Sequence, residues 1–217
     1  MPKLNNIRLK ICGLRDNISE VVDLQPDYAG FIFYDRSPRC MATRVAAEQV
    51  KAIPDTVAKV GVFVNQSLGE VCSTVKEFDL QYVQLHGVEN VNYCKRLHAE
   101  EVKIIKVFSG NEDLNEQLLD QYAPFIDFYL FDTRTDKPGG TGEKFNWEKL
   151  RHFDLQKPVF LSGGIDLDNI GEIESLDFGL HAIDVNSRFE VEPGLKNIDL
   201  LKKLKNKMKS VLQKEKH

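Results

Sequence analysis

The chain has 217 residues, of which 42% are hydrophobic and 29% are charged, and its formal net charge is −4. This size allows one large α/β domain or two small ones, and the composition excludes disordered, collagen-like and fibrous proteins. The negative charge argues against a nucleic-acid surface over the whole chain, and no apolar stretch approaches the roughly 20 residues of a membrane span. The four cysteines show neither a C-x-x-C pair nor zinc spacing, and the amino terminus lacks the apolar core of a signal peptide. We therefore expect reduced thiols in a cytoplasmic protein.

Eight short apolar runs predict eight β-strands, and helical patterns separate them. The strands are predicted at 7–12, 28–33, 57–64, 81–85, 102–108, 128–131, 158–161 and 182–185. Helical segments are predicted to about residue 24, at 43–53, 67–78, 90–98, 113–122 and 147–153, from 168, and from about 197. Alternating strands and helices imply parallel pairing, and eight units exceed the five or six strands usual in an open sheet. The predicted fold is α/β, a single-domain (β/α)₈ TIM barrel over residues 1–217.

Two of the helices have distinctive sequence features. Ser67-Leu68-Gly69-Glu70 has the form of a capping box, which predicts a helix that runs towards Phe78. The last helix is apolar on one side and lysine-rich on the other. Because the net charge is negative, these lysines indicate a solvated face rather than an RNA-binding tail. They are Lys202, Lys203, Lys205, Lys207 and Lys209.

The stretch 126–147 is typical of a strand that presents a catalytic group. Phe128 to Phe131 is almost wholly apolar, which suits a buried strand, and Asp132 stands where it stops. A carboxylate at that position is half out of water, so its environment can tune its pKa. Gly139-Gly140-Thr141-Gly142 follows as a pliable loop that could close over a ligand. The alternative is an Asp that opens a turn before a glycine-rich linker.

Cys12 ends the first strand and is a candidate for chemistry. Lys10 shares its face because residues two apart in a strand point the same way. A nearby ammonium is expected to lower the thiol pKa and raise the thiolate fraction. Alternatively, Cys12 is a small buried hydrophobic residue, which is the interpretation for Cys40, Cys72 and Cys94.

Other strand ends also carry candidate binding residues. Gly163 and Gly164 follow the seventh strand and, with the residues after the eighth, occupy the usual phosphate position of a barrel. Arg36 either holds a substrate carboxylate through two hydrogen bonds or forms a surface ion pair in a turn. His86 either handles a proton or makes a structural hydrogen bond. The glycine motifs of dinucleotide and P-loop sites are absent from the sequence.

These residues belong to a set of motifs that resembles the phosphoribosylanthranilate isomerase family of tryptophan biosynthesis. The motifs follow the family's order and spacing and cover nearly the whole chain. They are Lys10-Ile11-Cys12-Gly13, Gly61-Val62-Phe63-Val64-Asn65, Val83-Gln84-Leu85-His86-Gly87, Asp132-Thr133 with Gly139-Gly140-Thr141-Gly142 and Phe145-Asn146-Trp147, and Leu161-Ser162-Gly163-Gly164-Ile165. The resemblance implies a cytoplasmic (β/α)₈ barrel with no cofactor and no metal. We expect a phosphosugar substrate, no nucleic-acid or membrane partner, and a monomer or weak homodimer.

The resemblance also implies a reaction and a role for each candidate residue. The reaction is the Amadori rearrangement of N-(5-phosphoribosyl)anthranilate to 1-(2-carboxyphenylamino)-1-deoxyribulose 5-phosphate, by general acid–base catalysis. Asp132 would be the acid that protonates the furanose oxygen, and Cys12 the base that removes the C2′ proton. The substrate would be bound by Arg36 at the carboxylate, by Asp184 at the sugar hydroxyls, by His86, and by Gly163, Gly164, Asn186 and Ser187 at the phosphate.

One position departs from the family pattern, and three other functions remain open. The family usually has Ser-Gly after the eighth strand, where this chain has Ser187-Arg188. Arg188 either supplies a charge to the phosphate or points to solvent. The alternatives are an epimerase-like phosphosugar enzyme with metal ligands, a non-catalytic phosphosugar-binding barrel, and a thiol redox protein built on Cys12, which would need a resolving cysteine.

Overall fold

Eight parallel strands form a closed barrel in the computed structural model, which describes residues 7–109, 114–132, 147–176 and 178–211. Each strand pairs with the next along the chain, and β1 pairs with β8 to close the ring. The predicted (β/α)₈ barrel is therefore confirmed. The strands are β1 (Arg8–Ile11), β2 (Tyr28–Ile32), β3 (Ala58–Phe63), β4 (Tyr82–Leu85), β5 (Lys103–Ser109), β6 (Phe128–Asp132), β7 (Val159–Leu161) and β8 (Leu180–Val185).

Helices cover the outside of the barrel, and most of them are shorter than the sequence patterns predict. They are α1 (Ile18–Val22), α2 (Ala47–Lys51), α3 (Leu68–Phe78), α4 (Val91–His98), α5 (Glu116–Tyr122) and α6 (Ile198–Val211). After β6 and β7 the structure has 3₁₀ helices, Trp147–His152 and Ile170–Ser175, where helical segments were expected. Gly171 lies inside the second of these, and glycine disfavours an α-helix by about 1 kcal/mol relative to alanine.

The predicted capping box and the predicted lysine face are both present. The Ser67 hydroxyl accepts a hydrogen bond from the backbone N–H of Glu70, whose carboxylate accepts one from the Ser67 N–H at 2.8 Å. On α6 the predicted lysines are exposed, except that Lys205 is half-buried and donates to the carbonyl oxygens of Leu24 and Gln25. None of the described helices is long and apolar enough to cross a membrane.

The alternation of side chains along the strands produces two apolar cores. The larger core lies between the strands and the helices, where residues such as Ile11, Phe31 and Leu161 are fully buried. The smaller core fills the barrel interior with side chains from the opposite strand faces. It consists of Tyr28, Val60, Ile105, Val107, Leu130, Phe160 and Ala182. Above this smaller core, the carboxyl ends of the strands form the barrel mouth.

A short hairpin follows the barrel and was not predicted. It pairs β9 (Glu190–Glu192) with β10 (Leu195–Lys196) across a turn in which Gly194 has φ +96°. Pro193-Gly194 is a turn signal, but the flanking runs are too short for an alternating pattern to be recognised. The hairpin brings Glu190 and Lys196 close to the barrel mouth, next to Asn186.

Candidate active site

The barrel mouth opens into a cavity of about 180 Å³. Its lining includes every residue predicted for the site except Arg36. The predicted residues that line it are Cys12, His86, Asp132, Gly163, Gly164, Asp184, Asn186 and Ser187. These side chains come from five different strand ends, so the closed ring of strands is what brings them together.

Cys12 lies at the end of β1, with its thiol almost fully enclosed. Its backbone N–H donates to the carbonyl oxygen of Val185 at 2.9 Å, which continues the pairing of β1 with β8. Burial raises the pKa of the thiol, and the Lys10 ammonium opposes this rise. The Lys10 ammonium lowers the thiol pKa, as predicted. The predicted net lowering is nevertheless wrong, because the effect of burial is larger than the effect of Lys10. The sequence pattern carried no measure of that burial.

Lys10 is fully buried beneath the cavity and holds two polar partners. Its Nζ lies 2.6 Å from Oδ2 of Asp184 and 2.7 Å from Oε1 of Gln84. Burial opposes the charged form, but Asp184 and the Cys12 thiol outweigh it and raise the pKa of Lys10. The second oxygen of Asp184, Oδ1, is buried without a hydrogen-bond partner among the described residues. An unpaired buried acceptor at the cavity wall is suited to a hydroxyl donor on a ligand.

Gln84 connects this buried cation to the opposite side of the mouth. Its Nε2 lies 3.1 Å from Nδ1 of His86, and Nε2 of His86 lies 3.4 Å from Oδ2 of Asp132. His86 and Asp132 are each about 20% exposed, so both reach the cavity while remaining partly shielded from water. The polar contacts therefore run without a break from Asp184 through Lys10, Gln84 and His86 to Asp132. Gln84 was not among the predicted site residues, although a polar residue inside a buried strand is an informative signal.

The two predicted phosphate loops face the same cavity. Gly163 and Gly164 have φ values of +83° and +68°, in the left-handed region that favours glycine. The side chain of Asn169 donates to the Gly164 carbonyl oxygen at 2.7 Å and thus holds this turn. Arg188, on the loop after β8, is exposed and also lines the cavity. This arrangement leaves the glycine backbone open to an anion and places a cation beside it.

The loop after β2 carries three arginines, Arg36, Arg39 and Arg44, and of these Arg39 is held near the mouth. Arg36 is exposed. Arg39 donates to both carboxylate oxygens of Glu190, at 2.7–3.0 Å, and its Cδ would lie 2.9 Å from a Cβ atom on Gly13. Burial alone would raise the pKa of Glu190, but hydrogen bonds from Arg39 and Lys196 lower it. Sequence reasoning missed Glu190 and Lys196.

The glycine-rich stretch Gly139–Gly142, considered as a closing loop, lies outside the described residues. Among the residues that the structure does describe, no three His, Cys, Asp or Glu side chains are grouped so that they could hold a metal ion. All four cysteines, which are in the described part, are free thiols.

The chain is similar to known proteins in sequence and in structure. The model of the family described as N-(5'-phosphoribosyl)anthranilate (PRA) isomerase matches residues 9–207. The N-(5'-phosphoribosyl)anthranilate isomerase of Parabacteroides distasonis is 38% identical over 213 residues, covering 94% of this chain and 93% of that protein. The crystal structure of phosphoribosyl anthranilate isomerase from Thermus thermophilus matches with a TM-score of 0.79 at 28% identity, covering 94% and 100% of the two chains. A crystal structure of phosphoribosyl anthranilate isomerase in complex with reduced 1-(o-carboxyphenylamino)-1-deoxyribulose 5-phosphate matches with a TM-score of 0.74 at 26% identity, covering 94% and 99%.

Proposed function

The chain belongs to the N-(5'-phosphoribosyl)anthranilate isomerase family, and we propose from this that it rearranges N-(5-phosphoribosyl)anthranilate to 1-(2-carboxyphenylamino)-1-deoxyribulose 5-phosphate in tryptophan biosynthesis. It is an isomerase, and the rearrangement is of the Amadori type. The observation that carries the proposal is the cavity of the barrel mouth, in which Cys12 and Asp132 meet the glycine loop at Gly163 and Gly164. An acid, a base and an anion site are the groups that this reaction requires.

The acid and the base act at the two ring atoms bonded to C1′, the furanose oxygen and C2′. Asp132 donates a proton to the furanose oxygen, the bond between C1′ and this oxygen breaks, and a Schiff base forms. The Cys12 thiolate then removes the C2′ proton, and the electron pair moves to give an enolamine. The enolamine tautomerises to the ketone when C1′ takes up a proton and the C2′ hydroxyl gives one up. The reaction needs Asp132 to be protonated while Cys12 is ionised. Burial of Cys12 opposes its thiolate form, and the nearby Lys10 ammonium favours it.

Binding groups for the rest of the substrate surround these two residues. The backbone of Gly163 and Gly164, with the loop at Asn186 and Ser187, binds the phosphate. The unpaired Oδ1 of Asp184 accepts a hydrogen bond from a sugar hydroxyl. The carboxylate of the anthranilate ring was assigned to Arg36 from the sequence.

The geometry favours Arg39 over Arg36 for this last role. Arg39 lies beside Gly13, the neighbour of Cys12, whereas Arg36 is exposed. Neither arginine is among the described residues that line the cavity. Glu190 fixes the Arg39 guanidinium through its Nε and Nη2. A guanidinium that is held in place loses less entropy when it binds a carboxylate.

We also infer where the enzyme works and what it associates with. Four free thiols support a cytoplasmic location. We infer no nucleic-acid partner, which the net charge of −4 supports, and a monomer or a weak homodimer. Light scattering over a range of protein concentrations tests the oligomeric state, and a stable tetramer would contradict it.

The test of the reaction is the loss of anthranilate fluorescence when purified protein is added to freshly generated phosphoribosylanthranilate. We expect turnover by the wild type, and a kcat lower by on the order of 10² in Cys12→Ala and in Asp132→Asn. Cys72→Ala is the matched control, because Cys72 lies on α3 outside the cavity. A near-normal kcat in either site variant refutes its role.

Three results would favour the alternative functions. Binding of a phosphosugar analogue without turnover would indicate a non-catalytic barrel. A stoichiometric metal that is required for activity would indicate an epimerase-like enzyme. A disulfide that includes Cys12 after mild oxidation would indicate a thiol redox protein.

A further inference from the structure

Gln84 has a side-chain orientation that its neighbours determine. The residue is 1% exposed, and both ends of its amide are engaged. The Lys10 ammonium can only donate hydrogen bonds, so the group that it contacts at 2.7 Å must be the amide oxygen of Gln84. The reverse orientation would place the NH₂ group against the ammonium. The amide nitrogen must therefore face His86.

The orientation of Gln84 in turn determines where the proton of His86 resides. The Gln84 NH₂ group lies 3.1 Å from Nδ1 of His86, and an NH₂ group can only donate. Nδ1 must then be the unprotonated, accepting nitrogen of a neutral ring. The ring proton is consequently on Nε2, the atom that lies 3.4 Å from Oδ2 of Asp132.

We propose that Gln84, oriented by Lys10, is a positioning residue that holds His86 as the neutral Nε2–H tautomer, so that this N–H stabilises the carboxylate formed when Asp132 gives up its proton. The inference rests on the proposed function, because it takes Asp132 to be the general acid. A donor that is already in place where negative charge develops stabilises the transition state without reorganisation. His86 contributes this donor and transfers no proton itself.

The position of the amide also keeps the proton of the acid on Asp132. On a ring that carries its proton on Nε2, a second proton could bind only at Nδ1. The NH₂ group of Gln84 lies against Nδ1 and leaves no room for a proton there. The positive charge of an imidazolium would favour the ionised form of Asp132, and a carboxylate cannot protonate the furanose oxygen. Among the described residues, the charged and titratable groups around His86 are Asp132, Asp184, Lys10, Cys12 and Arg188 at the mouth, and Glu89, Lys106 and Tyr122 in the adjoining cavity.

Nitrogen-15 NMR of the imidazole rings measures the tautomer directly and does not require turnover. The protein has five histidines, and the signals that disappear in His86→Asn assign the ring. At about pH 8, above the usual pKa of a histidine, we expect an unprotonated Nδ1 and a protonated Nε2 in the wild-type protein. A protonated Nδ1 would overturn the proposal. The same tautomer should persist in Asp132→Asn, whereas a change there would show that Asp132 rather than Gln84 selects it.

Two substitutions of Gln84 test the positioning role. Gln84→Glu keeps the shape but offers Nδ1 an acceptor, so the Nδ1 signal should move to the protonated range. Gln84→Met removes the donor and should permit the same change as the pH falls. Gln49→Glu is the matched control, because Gln49 is exposed and a glutamate retains its bond to the backbone N–H of Ala46. An unprotonated Nδ1 in Gln84→Glu would overturn the proposal.

The kinetics separate this inference from the proposed function. We expect both Gln84 variants to lower kcat by on the order of 10² with little change in KM, as for the loss of one donor to a developing charge. If the wild-type protein turns over substrate but the Gln84 variants match it in kcat, the positioning role fails and the isomerase assignment stands. If the wild-type protein shows no turnover at all, the proposed function fails, and the tautomer measurement still decides whether Gln84 orients His86.

Discussion

A Cβ atom on Gly30 would lie 2.9 Å from Sγ of Cys12. The two residues are side by side on adjacent parallel strands, since Ile11 pairs with Ala29 in the register of β1 and β2. Real Cβ atoms essentially never approach a neighbour this closely, so the thiol occupies space that exists only because residue 30 has no side chain. The position of Cys12, the proposed general base, therefore depends on a glycine in the neighbouring strand.

Gly30→Ala should displace the thiol and lower kcat by on the order of tenfold or more, because small misplacements of a reacting group have large effects on rate. Crowding of this kind also costs about 1–3 kcal/mol of stability, which urea unfolding measures. Gly69→Ala is the control, because nothing lies within 4 Å of a Cβ atom there. A Gly30→Ala enzyme with wild-type kcat would show that the base is not confined.

Arg36 and Arg39, two of the three arginines in the loop after β2, make a matched pair for testing which residue binds the carboxylate of the substrate. Arg39→Ala should raise KM by at least tenfold with a smaller change in kcat, because Arg39 is the arginine held beside Gly13. Arg36→Ala tests the assignment from the sequence and should have the smaller effect on KM. A larger increase in KM for Arg36→Ala would restore Arg36 to the carboxylate site.

Arg188 replaces the glycine that is usual in the family and lines the cavity beside Gly163 and Gly164. If it supplies charge to the phosphate, Arg188→Ala should raise KM and the inhibition constant of inorganic phosphate by about tenfold at low salt, and less at high salt. Comparison of Arg188→Gly with Arg188→Ala shows whether an effect on phosphate binding comes from the lost charge or from the backbone conformation that glycine allows. Tight phosphate binding by both variants would mean that Arg188 points to solvent, and Lys209→Ala controls for the loss of a surface cation.

His181 lies at the opposite end of the barrel from the mouth and should make stability depend on pH. Its Nε2 is 2.7 Å from the Tyr28 hydroxyl, and burial, with a smaller effect of the Arg8 charge, lowers the pKa of His181 to about 4. Between about pH 4 and pH 6.5, His181 is protonated in the unfolded chain, where its pKa is near 6.5, but is neutral in the folded chain. Stability should therefore fall as the pH falls from about 6.5 to 4, by on the order of 2 kcal/mol.

Urea unfolding of His181→Phe measures this effect by comparison with the wild type. The wild-type protein should lose more stability than the variant between pH 7.5 and pH 4.5. The variant ring can pack against Phe128 and Phe160, which already contact His181. His152→Gln, at an exposed position, should behave as the wild type. Equal pH dependence in the wild type and in His181→Phe would contradict the prediction.

Patterns among residues close together in the sequence were sufficient to predict the strands and most of the site residues. The eight apolar runs are each bounded by turn or helix signals, and Ser67 with Glu70 marks the start of α3 through a contact within four residues. Cys12 and Asp132 could be placed at one mouth because the carboxyl ends of barrel strands always meet there. These inferences need only the order of elements and a rule about how strands close.

Contacts between strands that are distant in the sequence could not be predicted in this way. Which residue of β4 reaches Lys10 depends on the stagger of the strands around the ring, so the role of Gln84 was missed. Glu190 and Lys196 were missed because two- and three-residue strands carry no periodic signal. The pKa of Cys12 was predicted in the wrong direction because enclosure by the barrel is a property of the finished structure.

The ion pair between Lys10 and Asp184 joins the first and last strands of the barrel across 174 positions. A growing chain, or any fragment that lacks β8, would have to bury the Lys10 ammonium without its carboxylate, at a cost of several kcal/mol. We therefore expect fragments without β8 to remain unpaired along β1. Pairing of β1 with β8, which closes the ring, should then be a late and cooperative event in folding. We therefore expect no partly folded form of this enzyme to have a working base, since Cys12, the proposed base, directly follows the strand that carries this lysine.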